Sequence, residues 1–255
     1  MTIADVVGFA RQNRVTLTDP MALGLPDLSG DFSERSDEIR PQLTALLIEG
    51  AAEKVRDLLV RMFLNFWSIE RIVDEIISPS FVEIGHQWAC GRLDIYKERR
   101  ACEIALAALR EIRSLITPPP LGAPLAIGGS IQDDHYSLPT FAVELTLASH
   151  RWNAVSLGSN LPFHSFREAV KHERPNLLWL SISHLADDPA IQGEFQAELN
   201  QLAAELPPNV AIVVGGHAVS PAFRSGLKSI VICDNMYQLL ASAKNFVPPA
   251  TVPLN

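Results

Sequence analysis

Residues 124–135 read PLAIGGSIQDDH, a short apolar run that passes through two glycines and a serine into a polar loop ending at His135. Such a run bounded by turn residues is the pattern of a buried strand. NAVSLG at 153–158, NLLWLSIS at 176–183, VAIVVGG at 210–216 and SIVIC at 229–233 repeat it, separated by segments of helical period. Alternating strands and helices predict an α/β domain with a doubly wound, flavodoxin-like five-stranded parallel sheet. Ligands of such sheets bind outside the carboxyl ends of the strands. Three loops therefore matter most: Ser130 to His135, Ser181 to Leu185, and Gly215 to His217.

Upstream the pattern is helical. PQLTALLIEGAAEKVRDLLVRMFL at 41–64 is broken by Gly50 into two expected helices. A third helix opens at Ser68 and carries Pro79, where a kink is expected. A fourth, IYKERRACEIALAALREIRSLI at 95–116, has Asp94 as its expected cap and is stopped by the prolines at 118–120. The predicted organisation is an extension at 1–36, a four-helix bundle at 37–118, the α/β domain at 119–246 and a tail at 247–255. TPPPLGAP at 117–124 reads as a semi-rigid linker and FVPPATVPLN at 246–255 as an extended peripheral strap.

The chain has 255 residues, 47% of them hydrophobic, and a net charge of −8. An acidic balance disfavours attraction to phosphate backbones and anionic membranes, so direct nucleic-acid or membrane binding is not expected. Arg11 and Arg14 face Asp5, Asp19 and Asp27 in the first 30 residues, which gives no basic arm. No apolar run approaches the roughly 20 residues that span a bilayer, and no signal pattern opens the chain, so a cytoplasmic location is expected. Cys90, Cys102 and Cys233 form no CxxC pair and are expected as thiols.

The sharpest chemical pattern is Asp133-Asp134-His135. A carboxylate two positions before a histidine can orient its far ring nitrogen and so tune a metal-ligating imidazole. The same residues also suit a helix cap beside an exposed histidine. The stretch resembles the cobalamin-binding domains of methionine synthase, corrinoid methyl carriers and cobalamin-dependent photoreceptors. Their first loop carries D-x-H-x-x-G, with the histidine as lower cobalt ligand. The matching residues are Asp133, His135 and Leu138, the last in place of glycine. Family members also carry S-x-L after a later strand and G-G after the next. Ser181-Ile182-Ser183, with the overlapping Ser183-His184-Leu185, and Gly215-Gly216 stand at those places. The resemblance implies a groove for the nucleotide tail, where serine donates a hydrogen bond and glycines admit close backbone approach.

The likeness extends to the helical half. Photoreceptors of the CarH type place a Trp and, ten and eleven residues later, Glu-His above the corrin. IGHQWACGRLDIYKER at 84–99 supplies Trp88, Glu98 and Arg99. Arginine stays protonated and cannot ligate, but Arg99 can pair with Glu98 or Asp94. The histidine that follows the Trp in those photoreceptors is Ala89 here. His86 and Cys90 lie nearby and are read as ordinary side chains, as are His184 and His217; Trp179 is read as core.

The resemblance implies a non-enzymatic, light-responsive sensor that holds adenosylcobalamin, with His135 ligating cobalt, Asp133 orienting it, and Trp88 and Glu98 around the adenosyl group. Output would pass through a rearrangement of cap against base to a protein partner, a transcription regulator or signalling protein, as in freestanding AerR-type regulators. Self-association is compatible with this reading. Some relatives bind a bilin beside the corrin, yet no bilin-attaching cysteine is recognisable. The alternatives are a corrinoid methyl carrier of a methyltransferase system and an interaction module that has lost cobalamin.

Overall fold

The structure is a computed structural model that describes residues 1–29, 32 and 35–246. The chain divides into two compact units, Met1–Thr117 and Pro118–Asn255.

The first unit is helical. α1 (Ile3–Asn13) opens with a reciprocal cap in which Thr2 Oγ1 accepts from the Asp5 amide at 3.1 Å and Asp5 Oδ2 accepts from the Thr2 amide at 2.7 Å. α2 (Ser36–Glu49) and α3 (Ala52–Leu64) are separated at Gly50, as the sequence predicts. Gly50 takes the left-handed conformation, φ 86°, that ends a helix at little cost only for residues such as glycine. α3 packs against α6 (Ile95–Ser114), which turns Ala101, Ala105 and Ala108 inward. Arg56 on α3 joins Glu111 on α6 through two hydrogen bonds of 2.7 Å.

The third helix of the bundle shows what Pro79 does. It runs as one α-helical turn, α4 (Ile69–Arg71), a π-helical stretch Ile72–Ile77, and α5 (Ser78–Ala89). The Ser78 amide reaches back five residues to the Val73 carbonyl. Proline has no amide hydrogen to give the Glu75 carbonyl one turn back. Arg40 Nε supplies that bond at 3.2 Å. The expected kink thus takes the form of a π-helical stretch just before the proline. Ser68 caps this helix with its hydroxyl, whereas Asp94 occupies the cap position of α6 without a side-chain bond.

α1 lies within this unit and buries Ala4, Val7 and Ala10. Arg11 explains its attachment. The guanidinium hydrogen-bonds the carbonyls of Phe63, near the end of α3, and of Trp67, and lies 3.9 Å from the centre of the Phe63 ring. A cation at a helix C-terminus satisfies carbonyls the helix leaves open. Burial lowers the Arg11 pKa to about 10, opposed by the nearby Glu70.

The second unit is the predicted doubly wound α/β domain. β1 (Leu125–Ser130), β2 (Asn153–Ser156), β3 (Leu177–Ser181), β4 (Ala211–Gly215) and β5 (Val231–Cys233) pair in parallel in the order β2-β1-β3-β4-β5. Side chains alternate along each strand, so β3 sends Leu178 and Leu180 to one face, and Leu177 and Trp179 to the other. The first face packs on α8 (Phe163–Glu173), α9 (Pro189–Glu205) and α10 (Pro221–Ser225). The second packs on α7 (Ser137–Ser149) and α11 (Met236–Ala243). Trp179 is core, as expected, and its indole N–H donates to Thr140 Oγ1 at 2.9 Å. The chain winds from β1 to one side and then crosses to β3 on the other, which places the topological switch point between β1 and β3.

Among the described residues, no helix is long and apolar enough to cross a membrane. Of the expected strap over residues 246–255, Phe246 ends a 3-10 turn (Lys244–Phe246), and residues 247–255 lie outside the described residues.

The Arg11 contacts predict that Arg11→Ala lowers the unfolding free energy by about 2 kcal/mol, because two carbonyls lose a charged donor. Urea denaturation measures this, and an unchanged midpoint contradicts the anchoring of α1.

Candidate cofactor site

The sheet register aligns the strand ends. Ser130 lies opposite Ser181, Ser181 opposite Gly215, and Gly215 opposite Cys233. The loops that leave this edge carry the residues the sequence singles out.

In the loop after β1, Asp133 takes a left-handed conformation with φ 66°. Asn160, itself at φ 60°, holds it there: Asn160 Oδ1 accepts from the Asp133 amide at 2.9 Å, and the Asn160 amide donates to the Asp134 carbonyl at 2.9 Å. Aspartate and asparagine tolerate this backbone better than most residues. The turn leaves Asp133 exposed and sends the next carboxylate inward. Asp134 is 0% exposed. Its Oδ1 accepts from the Tyr136 amide at 3.0 Å, and its Oδ2 accepts from the amides of Ser183 at 2.6 Å and His184 at 3.4 Å, across the switch point on the loop after β3. Burial pushes the Asp134 carboxyl above its ordinary value, and the three backbone donors pull against that rise.

His135 follows directly and is exposed. Among the described residues its ring makes no hydrogen bond, and the Asp133 carboxylate makes none to it. Leu138 stands in the first turn of α7 with its side chain buried. Ser181 is buried at the end of β3. Among the described residues, the buried Ser183 hydroxyl oxygen has no hydrogen-bond partner.

The glycine pair has a packing cause in this chain. Gly216 sits at φ 123°, and a Cβ there would stand 2.3 Å from the Ile182 carbonyl oxygen. A Cβ on Gly215 would meet the Cys233 carbonyl oxygen at 2.6 Å. Gly216 therefore lets the loop after β4 close upon the end of β3, and Gly215 lets β4 lie against the end of β5. His184 and His217 are exposed loop residues.

Sequence reasoning centred on Asp133 and did not single out Asp134 or Asn160. Two adjacent aspartates are identical in composition, and which of them turns inward depends on the backbone sign at Asp133. The only sequence signal is that Asp and Asn are residue types suited to left-handed turns.

In the helical unit, Trp88 near the end of α5 is 48% exposed, so it is not a core aromatic. Glu98 in the first turn of α6 is buried and accepts the Cys102 thiol at 3.5 Å. Arg99 Nε lies 3.4 Å from Glu98 Oε2, the pairing expected from sequence. Burial, reinforced by Glu98, pushes the Cys102 thiol up to about 12. His86 Nε2 lies 3.6 Å from Cys90 Sγ, and Arg92 contacts His86 Nδ1 at 3.3 Å, all on exposed side chains.

Among the described residues, no three or more His, Cys, Asp or Glu stand together as ligands for a bare metal ion. A metal carried in a macrocycle needs only an axial ligand from the protein, which an exposed imidazole can supply. Residues 39–113 match the family model of the B12 binding domain. The helical unit is therefore similar to the B12 binding domain over 75 of the 255 residues of this chain.

An alignment of 148 residues is 26% identical to the HTH-type transcriptional repressor CarH of Myxococcus xanthus and covers 57% of this chain. The matched region spans 46% of that repressor, about half its length. The monomethylamine corrinoid protein of Methanosarcina barkeri has a similar fold, with a TM-score of 0.62, 18% identity, and coverage of 83% of this chain and 99% of that one. The segment that matches the B12 binding domain includes Trp88, Glu98 and Arg99, while His135 and the Ser and Gly residues belong to the α/β unit.

The thiol environments predict a graded reactivity. In the native protein at pH 8, an aromatic disulfide reagent modifies exposed Cys90 first. Cys102, whose pKa stands at about 12, is ionised in only roughly one molecule in ten thousand and reacts after unfolding, and buried Cys233 does likewise. Equal rates for the three native thiols contradict this placement.

Proposed function

We propose that the chain is a light-responsive, non-catalytic cobalamin sensor that acts on a protein partner. The observation that carries this reading is the combination of a helical unit that matches the B12 binding domain with an exposed His135 that makes no hydrogen bond among the described residues, at the switch-point edge of a 2-1-3-4-5 sheet.

The residues present fit a corrinoid. The buried Ser183 hydroxyl lacks a partner, which is the condition expected of a group waiting for a ligand's polar atom. Gly216 presents an exposed backbone that no Cβ covers. In this reading His135 supplies the lower axial nitrogen to cobalt and Asp133 stands two residues away to orient it. Ser181, Ser183, Gly215 and Gly216 line the way for the nucleotide tail, and buried Leu138 shapes the first turn of α7 beside it. By the resemblance, Trp88, Glu98 and Arg99 of the helical unit are the residues that would surround the upper ligand. The chemistry contributed by adenosylcobalamin, once bound, is a cobalt–carbon bond that visible light breaks.

The partial likeness to the CarH repressor supports regulation as the use of this chemistry. A net charge of −8 disfavours direct nucleic-acid contact, which leaves a transcription regulator or signalling protein as the partner. Self-association is compatible with this scheme, and the setting would be cytoplasmic. For a bilin, neither the described residues nor the relatives supply support.

Purified protein mixed with adenosylcobalamin in the dark and then desalted tests the reading. Retained corrin bands that shift under green light, with a change in hydrogen exchange of the helical unit, are expected. Retained bands with no response to light overturn the sensor reading in favour of a corrinoid methyl carrier. Complete loss of colour overturns cobalamin retention and leaves an interaction module.

His135→Ala is expected to weaken binding at least tenfold, the scale on which lost metal-site partners act, and to restore the spectrum of cobalamin with its own base bound. Unchanged affinity and spectrum overturn His135 as ligand.

A further inference from the structure

We infer that Asp134 is a positioning residue that couples the His135 loop to the Ser183 loop, so that ligation at one and tail recognition at the other are won or lost together. This rests on the cobalamin reading above and assigns a role to a carboxylate that the D-x-H pattern leaves open.

The carboxylate joins two chain segments that leave neighbouring strands. It belongs to the residue before His135, and its Oδ2 holds the amides of Ser183 and His184. Its Oδ1 holds the Tyr136 amide, which fixes the backbone on the other side of His135. The imidazole is therefore flanked by a residue whose carboxylate is tied to the opposite loop and by a residue tied to that same carboxylate.

The loop is closed from its other side as well. Asn160 holds the amide of Asp133 and the carbonyl of Asp134. Ser130 Oγ donates to the Tyr136 carbonyl at 2.8 Å. A shift of the segment that carries His135 must break these bonds, and a shift of the Asp134 carboxylate releases the Ser183 amide.

Ser183 makes this arrangement relevant to a ligand. Its amide is held by Asp134, while its buried hydroxyl has no partner. A buried hydroxyl left open is disfavoured unless something fills the bond. The chemistry that fills it is a hydrogen-bonding ribose, phosphate or amide oxygen, as in the tail of cobalamin. Cobinamide, which lacks the nucleotide, does not carry that tail.

The test uses the full chain and the variants Asp134→Asn, Ser183→Ala and the double variant. Asparagine keeps the volume of aspartate and one acceptor oxygen, so folding is checked by thermal melting before any comparison. Without cofactor, Asp134→Asn is expected to speed exchange of the Ser183 and His184 amides by about tenfold or more, as local opening becomes easier. In the dark, Ser183→Ala is expected to weaken adenosylcobalamin binding by about three- to tenfold, the scale of one hydrogen bond. Cobinamide binding is expected to be insensitive to Ser183→Ala.

In the Asp134→Asn background the Ser183→Ala factor is expected to fall to about twofold or less, since residues in one network are not additive. The same variant is expected to shift bound cobalamin toward the spectrum with its own base bound. Equal Ser183→Ala factors in the two backgrounds overturn the coupling while leaving the cobalamin reading in place. Unchanged amide exchange in Asp134→Asn overturns the pin itself. Failure of the unsubstituted protein to bind either corrinoid overturns the cobalamin reading, and with it the ligand named for Ser183.

Discussion

A carboxylate removed from water is stable only where donors converge on it, and Asp134 meets that condition with three backbone amides drawn from two loops. The arrangement depends on the sheet. Because β1 and β3 are neighbours at the switch point, their carboxyl ends open side by side, and one short side chain can reach from the first loop to the second. That carboxylate fixes the backbone beside His135 through the Tyr136 amide and holds the Ser183 amide on the opposite loop, while Asn160 closes the first loop through the Asp133 amide and the Asp134 carbonyl.

The glycine pair after β4 belongs to the same construction. Gly216 lies against the backbone of Ile182, one residue before Ser183, so the loop carrying the orphaned hydroxyl is held by Asp134 on one side and by a close backbone contact on the other. This edge of the domain is preorganised: its backbone is fixed, while an imidazole ring and a hydroxyl have no partner among the described residues. Such groups cost little to engage when a ligand arrives, because the surrounding chain need not be ordered first.

The helical unit reaches a comparable result by other means. Pro79 removes one helical hydrogen bond, a π-helical stretch precedes it, and Arg40 covers the carbonyl it leaves open. The helix continues to Trp88, which stays substantially exposed near its end. Glu98 is buried beside Cys102 and paired with Arg99, a substitution for the histidine of the CarH-type pattern that keeps a charged partner at that place.

Local patterns carried much of this in the sequence. Five apolar runs became five strands; the central β1, β3 and β4 are apolar on both faces, whereas the edge strand β2 buries Ala154 and exposes Asn153 and Val155, and Gly50 separated two helices because a left-handed residue was needed there. Trp179 was legible as core from its neighbours alone. What the sequence by itself determined is the order of elements, the two types of unit and the loops on which a ligand must sit, since these depend on periodicity and turn chemistry within a few residues. Only the tertiary structure decided which of two adjacent aspartates is the buried one, that Pro79 is accommodated through Arg40, and that the Ser183 hydroxyl lacks a partner, because each rests on contacts between segments about 25 to 50 residues apart that no local pattern encodes.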